Sequence, residues 1–388
     1  MLAVTANRLL TPSDVVEYPL LLIDGGRILE MTTPAARSLP AGVATLDLGD
    51  AVIAPGYIDL HIHGGAGLDV MRESADALAP MEQLLARHGV TSYYPTTVTA
   101  PIDAILSALG RLAGAIETRG RDGHDGRGRA RPLGIHLEGP FISHARRGVH
   151  PEENLLPPNL ANFERFWQAA RGHIRVMTIA PELEGAMELI AEAARRGVCV
   201  SLGHSDASFV AAEHAVSAGA RHATHTFNAM RPLDHRDPGI LGAVLTDSRL
   251  SADIIADGIH LDPAIVKLFA TAKGPDNAVL ITDAISATGM PDGRYQLGPI
   301  EVDVKDGKCT YNGSLAGSVL TMDRAVRNVT QFSSWSLRDA VRAATHNPAR
   351  AVGMAETYGV LAPGASADFV VLSPAGEVMK TIVGGRGL

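Results

Sequence analysis

Two hydrophobic patterns divide the chain. Near both ends, short apolar runs are interrupted by turn residues. Leu20–Leu29 reads as a hairpin around Asp24, Gly25 and Gly26, because paired positive-φ residues between apolar runs favour tight hairpin turns. Residues 364–372 and 377–383 repeat that style at the other end. The two ends together predict a small β-sandwich domain built from residues 1–51 and 357–388. Residues 52–356 behave differently. Apolar runs at 52–63, 91–97, 133–138, 174–180, 198–204, 222–226, 252–256 and 278–283 alternate with helical stretches such as 77–88 and 185–196. Strands that are apolar on consecutive positions are buried on both faces, which implies a parallel sheet covered by helices. Eight such units predict a (β/α)8 barrel of the TIM type in an α/β fold, with a doubly wound open sheet as the rival architecture. Residues 294–311 read as an inserted hairpin around Asp306 and Gly307, and the Gly/Arg-rich segment 119–131 as an exposed loop.

Composition narrows the setting. The 388 residues are 46% hydrophobic and 20% charged, with a net charge of −8 spread along the chain. That distribution argues against a general nucleic-acid or membrane-surface binder. The two cysteines, Cys199 and Cys309, exclude a disulfide framework and a thiolate-rich metal site. No basic-then-apolar leader opens the chain and no run approaches the length of a membrane span, so a cytoplasmic enzyme is expected.

The chemistry-bearing residues stand at the ends of the apolar runs. In 55–64 (PGYIDLHIHG), alternation along a strand puts Asp59, His61 and His63 on one face. A lone H-x-H is more often a packing or solubility feature than a metal site. Further runs, however, end on or near Glu138, His204, His225 and Asp283. In a barrel these ends share one rim, where active sites form. Buried charges and imidazoles need partners, and side chains of metal-ligand type on five run ends predict a divalent metal centre. Zinc is the first expectation, with iron, manganese and cobalt as alternatives.

The chain resembles the amidohydrolase superfamily. The resemblance rests on 55–64, 136–141 (HLEGPF), 203–205 (GHS), 225–230 (HTFNAM), 256–260 (ADGIH), 282–284 (TDA) and 315–318 (LAGS). It covers nearly the whole chain and implies a barrel with a small β domain. It also implies metal-dependent removal of the acetyl group from an N-acetylhexosamine 6-phosphate, the gluco epimer first and the galacto epimer as alternative. Deacylation of an N-acyl amino acid is a further alternative, and a non-catalytic scaffold a third. Many binuclear relatives bridge their metals with a carboxylated lysine. This chain has no lysine before Lys267, so a carboxylate must bridge instead, and Glu138 is the candidate.

By that resemblance Glu138, His204 and His225 hold one metal. His61 and His63, sharing Glu138, add capacity for a second. Asp283 is the catalytic acid/base, and His150 polarises the acetyl carbonyl. Val149, His150, Asn228, Ala229, His260, Leu315, Ala316 and Gly317 match substrate contacts. Arg236, eleven residues after His225, matches a phosphate contact that in relatives can cross a dimer interface, which suggests a homodimer. His136 is read as an ordinary core histidine, with a place behind the metal ligands left open because it shares a strand face with Glu138.

Overall fold

The structure, a computed structural model, describes residues 1–36, 42–121 and 128–387. Among these, the eight runs of the middle segment form strands: β1 (Tyr57–Ile62), β2 (Val90–Pro95), β3 (Ile135–Glu138), β4 (Ile174–Ile179), β5 (Cys199–Leu202), β6 (His222–Ala223), β7 (Ala252–Ile255) and β8 (Ala278–Ile281). Nearly every residue in them is buried, as runs such as Ala278–Ile281 (AVLI) require. The pairings are parallel and fall in three sheets: β1 with β2, β3 through β6, and β7 with β8. Isolated parallel bridges, Thr96 to His136 and Ile62 to Ala284, link β2 to β3 and β8 to β1. The Thr226 N–H donates to the Asp253 carbonyl at 2.8 Å, linking β6 to β7.

Helices follow most strands, and their starts are written locally. Ser208 and Asn159 cap the helices Phe209–Ala218 and Leu160–Ala169 by accepting from the N–H three residues on. The anticipated helices at 77–88 and 185–196 are Ala79–Arg87 and Ala186–Arg195. Their apolar faces join the strands in one large core, which includes Leu85, Leu189, Ile190 and Val216.

The chain ends build two further sheets. Val378–Ile382, Phe369–Leu372, Val52–Pro55, Arg8–Leu10 and Val15–Glu17 form one; Arg27–Thr32, Leu20–Asp24, Leu2–Thr5 and Ala44–Asp47 form the other. The hairpin at Asp24–Arg27 is present, with Gly25 at φ 53° and Gly26 at φ 77°. A separate apolar cluster, including Leu9, Leu21, Ile28, Phe369 and Ile382, lies among these strands.

Three expectations need correction. The run at 52–63 is two strands: Val52–Pro55 pairs with Phe369–Leu372 in the terminal sheet, and Tyr57–Ile62 begins the central set. Gly56 separates them, and a Cβ there would stand 2.3 Å from Thr91 Cγ2. The insertion is a four-stranded antiparallel meander, Gly293–Leu297, Ile300–Lys305, Lys308–Tyr311 and Ser314–Leu315, rather than one hairpin. The expected turn at Asp306 and Gly307 is one of its corners, both residues having positive φ. Finally, the segment 119–131 is not simply an exposed loop. The helix Ile102–Arg121 runs into it, residues 122–127 lie outside the described residues, and Arg129 is buried against Glu82.

Candidate metal centre

The donors sit where apolar strands run out. His61 lies on β1 and His63 just beyond it; Glu138 is the last residue of β3. His204, His225 and Asp283 each stand two positions past the end of β5, β6 and β8. These three have φ of 47°, 30° and 50°, a region in which non-glycine residues are uncommon and which costs about 1–3 kcal/mol each. Such conformations persist only where the surroundings hold them. The Asp253 carboxylate accepts the His225 N–H, and the Asp283 N–H donates to the His61 carbonyl at 2.9 Å.

The convergence makes two triads that share Glu138. Glu138 Oε2 lies 3.3 Å from the Nε2 atoms of both His61 and His63, which are 3.1 Å from each other. Glu138 Oε1 lies 3.3 Å from His204 Nε2 and 3.1 Å from His225 Nε2, again with 3.1 Å between the imidazoles. Asp283 Oδ1 stands 3.1 Å from His63 Nε2 and 3.4 Å from His61 Nε2. Donors about 2.0–2.2 Å from a tetrahedral metal are separated by roughly 3.3–3.6 Å, so these spacings are close to those of a coordination shell.

Hydrogen bonds behind the rings present the right nitrogens. Nδ1 of His63, His204 and His225 bonds the carbonyls of Thr96 (3.0 Å), Arg146 (2.9 Å) and Asn228 (3.2 Å). Carbonyls only accept, so each Nδ1 carries the proton and each Nε2 lone pair faces the cluster. Lone pairs facing one another at about 3 Å need a proton or a cation between them.

Electrostatics agree. Burial opposes ionisation of Glu138 and Asp283, yet the surrounding imidazoles overcome it, holding Glu138 well below the usual range and Asp283 at about 2. Burial likewise opposes charging of His63, and hydrogen bonds to Asp283 and Glu138 reverse it, to about 10. A site that stabilises positive charge this strongly fits a divalent metal bound through nitrogen and oxygen. The thiols take no part: burial pushes Cys199 and Cys309 up to about 12.

His136 lies against His61, ring centroids 4.7 Å apart, and bonds Thr178 and the Leu60 carbonyl, which puts it directly behind this candidate donor. Asp59 does not join the donors. Its carboxylate is committed to the His61 N–H and to Thr282, and burial raises it to about 6.

A cavity of about 230 Å³ opens on the cluster, with His63, Glu138, His204, His225 and Asp283 in its wall. His150 faces the same space, its Nε2 3.8 Å from Glu138 Oε2. The Thr99 N–H donates to His150 Nδ1 at 3.2 Å, with the Thr99 hydroxyl at 2.8 Å. Nδ1 is therefore an acceptor, and the ring's proton resides on Nε2. Burial and the neighbouring His204 lower His150 to about 3, so it is a neutral N–H donor at neutral pH.

The structure brings most anticipated contacts together. Val149, Asn228, Ala229, His260, Leu315 and Gly317 line the cavity. Asn228 Nδ2 is buried with no hydrogen-bond partner, an open donor for an oxygen-rich ligand. His260 is oriented by Asp257, whose carboxylate takes its Nδ1 at 2.7 Å. Two residues fall elsewhere. Ala316 is 1% exposed inside the insertion's apolar cluster, because its N–H pairs with the Cys309 carbonyl. Arg236 is exposed on the segment 231–238 and does not line the cavity of its own chain. The sequence reading missed Val98, Leu297, Pro299 and Ile300 in the wall, and Thr99 behind His150. Nothing in their type marks them; they are ordinary apolar or hydroxyl residues on a strand extension and a meander corner.

Among known proteins, the amidohydrolase family profile matches residues 52–388. The chain is 40% identical over 380 residues to N-acetylglucosamine-6-phosphate deacetylase of Bos taurus, covering 94% of this chain and 90% of that protein. It is 39% identical over 361 residues to N-acetylgalactosamine-6-phosphate deacetylase of Escherichia coli O157:H7, covering 93% of each. A solved structure of a mutant N-acetyl-D-glucosamine-6-phosphate deacetylase from Mycobacterium smegmatis, in complex with N-acetyl-D-glucosamine-6-phosphate, superposes with TM-score 0.90 at 35% identity. That match covers 100% of this chain and 98% of the other.

Proposed function

The chain belongs to the amidohydrolase family, and from that premise we infer that it is a metal-dependent deacetylase of N-acetyl-D-glucosamine 6-phosphate, releasing acetate and D-glucosamine 6-phosphate. The observation that carries this is the pair of His–Glu triads sharing Glu138, with Asp283 and His150 on one cavity, in a chain 40% and 36% identical to the N-acetylglucosamine-6-phosphate deacetylases of Bos taurus and Bacillus subtilis. The eight parallel strands are read as a closed (β/α)8 barrel, supported by the bridges that join β2 to β3 and β8 to β1. Residues 1–51 and 357–388 form the small β domain and 52–356 the catalytic one, Val52–Pro55 lending a strand to the smaller sheet.

Glu138, His204 and His225 would hold one divalent metal, and His61, His63 and Glu138 a second; zinc suits these donors, and iron, manganese or cobalt would also fit. A metal so held supplies Lewis acidity and brings the ionisation of water near neutral pH. The chain's own groups do the rest. His150 donates its Nε2–H to the acetyl carbonyl, where charge develops as the amide is attacked. Asp283 accepts the proton of the attacking water and delivers it to the nitrogen of the departing amine. Asn228 and His260 bind the sugar phosphate, and Leu315 and Gly317 close over it. Arg236, exposed in its own chain, serves the phosphate of a partner subunit in a homodimer. No helix of the described residues is long and apolar enough to cross a membrane, in keeping with work in the cytoplasm.

The galacto epimer is the second reading, carried by the 39% identity to the Escherichia coli enzyme. The test is acetate release from both N-acetylhexosamine 6-phosphates, from N-acetylglucosamine without phosphate, and from an N-acetyl amino acid. Turnover confined to a 6-phosphate is expected. Equal rates without phosphate would remove Arg236 from substrate binding, and preference for the amino acid would overturn the reading.

A further inference from the structure

The cavity has a side that the metal chemistry and the sugar contacts leave unused. Val98, Leu297 and Ile300 line it, and they belong to one apolar cluster at the base of the inserted meander. This cluster borders His150. Val98 directly precedes Thr99, whose N–H and hydroxyl hold the His150 ring. The corner between Leu297 and Ile300 is pressed onto Val98: Gly298 has φ +54°, and a Cβ on it would stand 2.8 Å from Val98 Cγ1. The sugar-binding candidates Asn228 and His260 come instead from segments following β6 and β7. A carbonyl at His150 carries two substituents, the amide nitrogen with its sugar and the acyl carbon chain. The apolar side next to His150 is where the acyl chain fits.

An outer groove of about 690 Å³, bordered by Pro101, Tyr311 and Asn312, adjoins the cavity through shared lining residues. Gly148, Val149, His150, Pro151, Pro299 and Ile300 border both spaces, and Ile300 is the one of these that also belongs to the buried apolar cluster, 8% exposed.

We propose that Ile300, backed by Val98 and Leu297, is the specificity-determining wall that limits the N-acyl group to acetyl size. The proposal rests on the deacetylase reading above. Shortening Ile300 to alanine removes three carbons from a residue that borders both spaces, creating room beside His150 for a longer acyl chain.

The test compares N-acetyl-, N-propionyl- and N-butyrylglucosamine 6-phosphate on the full-length metal-loaded protein and on Ile300→Ala, Val98→Ala and Ile300→Phe. One methylene in an apolar pocket commonly alters selectivity by about 10–200-fold, so the unaltered protein should disfavour the butyryl substrate by about that factor or more. Ile300→Ala should shift the butyryl-to-acetyl ratio of kcat/KM at least about tenfold toward butyryl, and Val98→Ala by less. Ile300→Phe should depress the acetyl substrate while sparing an N-formyl analogue. Metal content and thermal midpoint identify variants that failed to fold. If folded Ile300→Ala and Val98→Ala both keep the original ratio, the wall is elsewhere and the proposal is overturned. Absence of acetate release by the unaltered protein would instead remove the deacetylase reading, a separate outcome.

Discussion

The two sides of the cavity are built on different physical terms. On the strand-end side, His61, His63, Glu138, His204, His225 and Asp283 meet through nitrogens and oxygens 3.1–3.4 Å apart, three of them in left-handed backbone conformations. Each atom there has a directional duty. On the meander side, Val98, Leu297 and Ile300 meet by contact alone, and volume is what matters. The first side should therefore fail abruptly under substitution, while the second should respond by degrees.

Glu138→Ala is the harshest test of that contrast. It removes the only carboxylate shared by both triads, so metal content measured per chain should fall toward zero and acetate release should fall to background. A variant that kept one full equivalent would show that a triad survives without its bridge. Asp283→Asn comes next: turnover should drop about 10²–10⁴-fold, the usual worth of a general acid–base group, while metal stays bound. Near-normal kcat would transfer the proton-handling role elsewhere. His150→Ala should cost about 10²–10³-fold in kcat, in line with loss of one donor to a developing oxyanion, with little change in metal content. His61→Ala combined with His63→Ala should lower the bound metal by one equivalent and spare the equivalent held by His204 and His225. Equal stoichiometry in both proteins would refute the two-metal arrangement. On the other side, Gly298→Ala should be the mildest for activity, since its Cβ would meet only the Val98 side chain, although the left-handed backbone at φ +54° adds strain to the contact. Overpacking of this kind costs typically about 1–3 kcal/mol, readable as a lower denaturation midpoint with activity at permissive temperature retained.

How legible each side was in the sequence follows from the same difference. Strand-end donors are rare residue types in apolar runs, and their spacing announces them: His61 and His63 two apart, Glu138 within HLEGPF, Asp283 within TDA. Ile300 and Leu297 are apolar residues in a β segment, like most of their neighbours, and only the fold of the meander over Val98 gives them a cavity to face. Gly56 is an intermediate case. It lay inside what reads as one long strand, and the close approach of Thr91, a contact across the chain, is what ends the first strand there. Arg236 went the other way: a matching position did not bring its side chain to the cavity of its own chain.

Local chemistry determined the alternation of strands and helices, the hairpin turns at Asp24–Arg27 and Asp306–Gly307, and the residue types of the candidate metal donors, because periodicity, positive-φ preference and ligand type are all properties of short stretches. Tertiary structure alone decided that Glu138 gives one oxygen to each triad, that Thr99 places the His150 proton on Nε2, and that Ile300 borders two cavities. Those outcomes depend on distances between residues tens to hundreds of positions apart, which no local pattern encodes.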